Sequence, residues 1–196
     1  MALSIKEKMA SVALASKEHL REIRSEAFLK ACCEALESRA DFSLDVEFNG
    51  PLLDDNGIYL FWVKIPTCLV EREKALDHVL KVWDGERVHL GVIKYPKVVK
   101  KRARETLLSN KENEWVPLYI GKTENLAKRV AEHIDLSSDK ATYSMKLRAS
   151  RDLFSKHKWE FAVSTISFGK LGDAYYLCEI VESELRKILK PVIGKQ

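Results

Sequence analysis

The run GIYLFWVKI at residues 57–65 is the strongest constraint on how this chain can fold. A half-buried strand alternates apolar with polar residues, whereas this run is apolar on both faces and rich in strand-forming residues, which predicts a central strand. Its uninterrupted apolar part, Ile58 to Val63, is far too short to cross a bilayer. Further strands are expected at VPLYIGK, residues 116–122, and at KWEFAVSTISF, residues 158–168. SLDVEF, residues 43–48, alternates Leu44, Val46 and Phe48 with polar residues and suits a short half-buried strand.

Helical signals surround these runs. Ser4 to Glu7 has the form of a capping box, and Ile5, Met9, Val12, Leu20, Ile23 and Phe28 recur at mostly helical spacing, which predicts one long helix or two successive ones over residues 4–39. Turn residues follow at Asn49-Gly50-Pro51 and Asp54-Asp55-Asn56-Gly57. Residues 67–111 read as mainly helical, with Leu69, Val70, Leu76, Val79 and Val82 forming a partial stripe and His78 beside it. Thr123 is expected to cap a helix over residues 124–134, and another helix is expected over 143–154. Asp173 is expected to cap a last helix that ends near Lys190, before Pro191. No internal repeat is present. The class is mixed α/β (α+β), and 196 residues suffice for one good core.

The N-terminus carries Lys6, Glu7 and Lys8 within an amphipathic pattern, not the charged start and apolar middle of a signal peptide, so a cytoplasmic location is expected, with no membrane partner. Cys32, Cys33, Cys68 and Cys178 form no C-x-x-C pair and have no histidines at zinc-finger spacing; they read as buried reduced thiols. The net charge of +4 says little about partners, but its distribution is uneven. Between Lys94 and Lys111 seven Lys or Arg face the single Glu105. That run is either a solvated helix face or a patch for a phosphate backbone.

Gly121-Lys122-Thr123 looks like the end of a phosphate loop, but such a loop needs an earlier glycine so that successive backbone N–H groups can wrap the phosphates. Val116 holds that position and Pro117 removes a further donor, so the stretch is a strand and Lys122 needs another explanation. Period-two geometry points Tyr59 away from Ile58 and Leu60, and Tyr119 away from Leu118 and Ile120. If the two strands pair, both phenols line one face of the sheet. Singly, each tyrosine reads as an ordinary strand residue with a satisfied hydroxyl. Arg129 and His133, four residues apart, share one face of the following helix, as surface pairs often do. Glu182 borders the stripe of Leu177, Val181, Leu185, Ile188 and Leu189, either as a paired structural charge or as a metal ligand facing a cleft.

Together these residues form a pattern. Gly57-Ile58-Tyr59, Tyr119-Ile120-Gly121, Lys122, Arg129, His133, and Glu182 nine residues before Pro191 occur in an order that resembles the GIY-YIG nuclease family. The resemblance spans residues 57–194 and leaves out the N-terminal helical region, so the chain divides at residues 1–42 and 43–196. Two features depart from the family pattern. The tripeptides usually lie close together on a hairpin, but here 59 residues lie between Tyr59 and Tyr119, which implies a helical insertion over about residues 66–114. Loop closure costs grow only slowly with length, so such an insertion is tolerable. Gly194 stands where the family commonly has an Asn.

The resemblance implies a small central antiparallel sheet flanked by helices, and hydrolysis of DNA phosphodiesters with Mg²⁺ or Mn²⁺. Glu182 would hold the ion, which takes oxygen ligands and keeps water positions open. Tyr119 or Tyr59 would help to deprotonate the attacking water; because an ordinary phenol titrates near ~10, nearby positive charge must favour the phenolate. Lys122 and Arg129 suit that task and the charge of the phosphate, and His133 is a candidate for proton transfer or phosphate contact. Lys97, Lys100, Lys101, Arg102 and Arg104 are expected to contact DNA. A second reading remains open, a nucleic-acid-binding or regulatory protein that keeps the fold without turnover, as does the choice between monomer and homodimer.

Overall fold

The computed structural model describes residues 5–48, 52–65, 68–109, 113–156, 158–170 and 174–194. The expected caps Ser4 and Asp173, the turn at residues 49–51 and Lys111 lie outside them. In chain order the regular elements are α1 (Ile5–Ile23), α2 (Glu26–Leu36), β1 (Ala40–Phe42), β2 (Asn56–Lys64), α3 (Leu69–Lys81), α4 (Arg87–His89), α5 (Lys100–Ser109), β3 (Trp115–Thr123), α6 (Leu126–Asp135), α7 (Arg151–Lys156), β4 (Phe161–Gly169) and α8 (Ala174–Leu189). A π turn (Val82–Glu86) joins α3 to α4, and a 3₁₀ turn (Arg148–Ser150) leads into α7.

The chain is α+β, with helices around a four-stranded antiparallel sheet of order β1-β4-β2-β3. As its composition requires, β2 is central and pairs with β3 on one side and β4 on the other. The alternation of β2 divides the core in two. Tyr59, Phe61 and Val63 join the α6 residues Val130 and Ile134 and the residues of the insertion, including Val79, Trp83 and Leu107. Ile58, Leu60 and Trp62 join Leu29 and Leu36 of α2 and Cys178, Val181 and Leu185 of α8 on the other face. A strand covered on both sides has no polar face to spare, which is why its sequence does not alternate.

The insertion between β2 and β3 packs α3 against α5, and the buried Arg72 fastens it by donating to the carbonyls of Leu107 at 3.0 Å and Asn113 at 2.5 Å. The long connection does not disturb pairing, since Tyr59 lies opposite Gly121 and Leu60 opposite Ile120. The outer edge of β3 is partly covered by the C-terminal segment, where Val192 and Ile193 N–H donate to the carbonyls of Pro117 and Leu118 at 3.1 and 2.9 Å. The same segment pairs with the insertion, because Gly194 N–H donates to Lys97 O at 2.9 Å and Val98 bridges Ile193.

Several local expectations need correction. Of the four cysteines expected to be buried, Cys32 and Cys178 are, but Cys33 is half-buried and Cys68, just ahead of α3, is exposed. The strand read over residues 43–48 is β1, at residues 40–42. Ser43 Oγ accepts the Asp45 N–H at 3.1 Å, a local bond that competes with a ladder, and Val46 is exposed. The N-cap of α6 is Asn125, whose side chain accepts the Lys128 N–H at 2.8 Å; Thr123 instead accepts the Asn125 N–H at 3.1 Å. The helix expected over residues 143–154 begins only at the 3₁₀ turn. The N–H groups of Met145 and Leu147 are already taken by the His133 ring and carbonyl, and Lys146 has a positive φ of 51°. Helix is also interrupted at residues 90–99, where Gly91 and Lys94 adopt φ of 71° and 47° ahead of Pro96.

Candidate active site

The site begins at the pairing of the two tripeptides. Gly121 has no side chain where it faces Tyr59. A Cβ there would stand 2.5 Å from Tyr59 Cζ and closer still to Oη, so the phenol lies directly over the glycine. Tyr59 and Tyr119 come together on one face with ring centroids 6.1 Å apart. A bulge opposite Phe61 and Trp62 puts Leu118 into the same core cluster as Tyr119, correcting the strict alternation expected for β3.

Helix α6 supplies the next layer. Its apolar residues Leu126, Val130 and Ile134 are buried, and His133 is buried with them. The imidazole sits among Tyr59, Phe61 and Tyr119 at centroid distances of 5.2, 5.5 and 5.0 Å. Its Nδ1 accepts the Met145 N–H at 3.0 Å, so a neutral ring must carry its hydrogen on Nε2, which donates to Tyr59 Oη at 2.9 Å. Burial, aided by the charge of Arg129, holds the His133 pKa well below its ordinary value. His133 is therefore a neutral donor inside the core and orients Tyr59.

Arg129 lies one turn earlier on α6 and is partly exposed. It pairs with Glu132 at 2.6 Å and donates to Tyr143 O at 2.6 Å. Its charge favours ionisation of both phenols. Desolvation is nevertheless the larger effect, and both tyrosines are raised above the ordinary phenol value. The positive charge expected to produce a phenolate is present but is outweighed by burial. The two phenols differ. Burial raises Tyr59 the more of the two, while the charges of Arg129 and Arg186 both act to lower Tyr119, so Tyr119 is the easier to ionise.

Helix α8 approaches from the opposite face, around the β3 edge. Lys122 pairs with Glu179 at 2.8 Å and lies over the Tyr175 ring at 4.6 Å. A cleft of about 530 Å³ opens here, lined among others by Lys122, Lys128, Arg129 and Glu132. Glu182 is paired with Arg186, one turn later on α8, and Arg186 also donates to Ile120 O at 3.3 Å. Among the described residues no group of three or more His, Cys, Asp or Glu side chains could hold a metal ion. A hydrated Mg²⁺ needs only one or two carboxylates besides water and substrate oxygens, and Glu182 is a donor of that kind, so the residues fit a single-carboxylate site.

The basic run of the insertion divides by helical position. Lys100, Lys101 and Arg104 are exposed on α5, and with Leu76, Leu80 and Leu108 they line a groove of about 640 Å³. Arg102 is partly buried and near enough to Arg186 to feel its charge. Lys97 is exposed, and its ammonium bonds Tyr95 Oη at 2.8 Å.

Two participants escaped the reading of the sequence. Arg186 carried a signal, its spacing of four from Glu182 on a helix. Arg87 carried none. It is fully buried in the insertion, stacked over Trp83 and Tyr95 at 4.4 and 4.8 Å, and donates to Ser150 Oγ at 2.9 Å and to Met145 O. Burial pulls its pKa down to about 10. The insertion thus grips the same residue whose N–H fixes the His133 ring. Compared with family models, curated proteins and solved structures, the chain matches none.

Proposed function

We propose that this chain is a metal-dependent endonuclease of the GIY-YIG type that hydrolyses DNA phosphodiester bonds. The observation that carries the reading is the meeting of Tyr59 and Tyr119, separated by 59 residues of sequence, beside Arg129 and a cleft lined by Lys122 and Lys128 as well as Glu124 and Glu132. An Mg²⁺ or Mn²⁺ ion on Glu182 would supply Lewis-acid stabilisation of the phosphate and the leaving oxygen. Tyr119, once it has lost its own proton to solvent, would take the proton of the attacking water, since it is the phenol whose ionisation the charges of Arg129 and Arg186 favour. His133 keeps Tyr59 in place from behind and exchanges no proton with substrate. Arg129 and Lys122 balance the charge that builds on the phosphate, drawing on donors now engaged by Glu132 and Glu179. The exposed α5 cations hold the flanking backbone.

The test is nicking of supercoiled plasmid by purified protein with Mg²⁺ or Mn²⁺, abolished by Glu182→Ala. A second reading, a protein that binds nucleic acid without cutting it, is favoured by the pairing of Glu182 with Arg186 and by Gly194. Plasmid retained by the protein but never nicked, with either ion, would select it.

A further inference from the structure

We infer that Arg186 is a built-in competitor for the divalent ion: its guanidinium occupies the Glu182 carboxylate, and a metal loads on Glu182 only as that contact is given up. The inference rests on the reading of Glu182 as the metal ligand and adds what controls it. Glu182 and Arg186 are four residues apart on α8, and their side chains keep only 12% and 15% of their exposure, so water screens the pair poorly.

The guanidinium has a formed seat. Glu182 lies on one side, the Ile120 carbonyl of the β3 edge accepts a second bond, and Gly194 lies beside both the guanidinium and the Tyr119 ring. Gly194 is what leaves the space. Any Cβ there would come within 3.2 Å of both Arg186 Nη1 and the Tyr119 ring, and its φ of +113° disfavours other residues as well. Arg186 on α8 and Gly194 in the C-terminal segment therefore belong to one arrangement.

The competition follows from charge. A carboxylate already bonded to a guanidinium has lost part of its negative field, and a divalent ion arriving there meets a fixed positive neighbour. Arg102 adds a second positive charge near Arg186, so an anion such as a substrate phosphate is the natural acceptor for the displaced guanidinium. By linkage, a ligand whose binding draws Arg186 from Glu182 strengthens metal binding, and the metal strengthens that ligand's binding by the same factor.

Titration of the full chain with Mn²⁺, followed by electron paramagnetic resonance and without nucleic acid, tests this. Arg186→Met should bind Mn²⁺ tighter than wild type by roughly tenfold or more, the scale on which one adjacent charge moves an ionic equilibrium. Arg186→Lys, which keeps the charge, should stay near wild type. Adding Glu182→Gln to Arg186→Met should remove the gain. Arg186→Gln serves if the Met variant does not give the wild-type circular dichroism. Folded Met or Gln variants that bind no tighter than wild type, or a gain that survives Glu182→Gln, would overturn the inference. Because no nucleic acid is cut, tightening in a chain that never nicks plasmid sustains this inference and defeats the endonuclease reading. Nicking without tightening does the reverse.

Discussion

Gly121→Ala adds one methyl group at the centre of the site and should destabilise the fold well beyond an ordinary strand substitution. The new Cβ would stand 2.5 Å from Tyr59 Cζ, so the ring must move. Its retreat is blocked by Phe61 and His133, at centroid distances of 6.0 and 5.2 Å. Overpacking a close-packed core costs about 1–3 kcal/mol. Moving Tyr59 also breaks its 2.9 Å bond to His133, and a buried N–H without an acceptor costs about 1–3 kcal/mol more. The sum is roughly 2–6 kcal/mol, measurable as a lower urea midpoint at unchanged slope. A double-mutant cycle sharpens the test. Tyr59→Phe should cost about 1–3 kcal/mol in wild type but little in the Gly121→Ala background, where the hydrogen bond is already gone. A Gly121→Ala protein within about 0.5 kcal/mol of wild type, or strictly additive effects, would refute the packing argument.

His133 should make stability depend on pH. Its folded pKa is depressed, so the unfolded chain binds the proton more readily, and stability should fall as pH drops below ~6.5 with a slope of up to about 1.4 kcal/mol per unit. Urea midpoints from pH 8 down to 5, flatter for His133→Gln, would show it; equal slopes in both proteins would not. Arg129→Ala should suppress plasmid nicking while leaving Mn²⁺ binding intact, and an undiminished rate would remove Arg129 from the mechanism. Replacing Lys100, Lys101 and Arg104 with Gln should weaken binding to every DNA sequence and reduce the slope of log affinity against log salt by roughly one per lost phosphate contact. An unchanged slope would assign these charges to solvation alone.

Much of the frame was legible because it depends on local chemistry. The doubly apolar run at residues 57–65 reads as a covered strand, and β2 is an inner strand of the sheet. Turn residues and caps were less legible, because several side chains competed for the same backbone groups. Asn125 rather than Thr123 starts α6, and the N–H groups that would have begun a helix near residue 143 are held by His133.

For the candidate site, the sequence by itself determined which residues could meet. The strand period set the two tyrosines toward one face, and the spacing of four put Arg129 with His133. Tertiary structure decided what those residues became. His133 looked like a surface neighbour of Arg129, yet it is a neutral buried donor because the 143–147 segment, gripped by Arg87 of the insertion, closes over it. Lys122 is bound to α8, which arrives from a different part of the chain. The phenols rise above their ordinary pKa despite Arg129, since desolvation depends on everything packed around a ring while the sequence shows only which charges are available. Glu182 carries a partner whose spacing was visible, but the seat that keeps Arg186 there is made by the β3 edge and Gly194, which meet only in the folded chain.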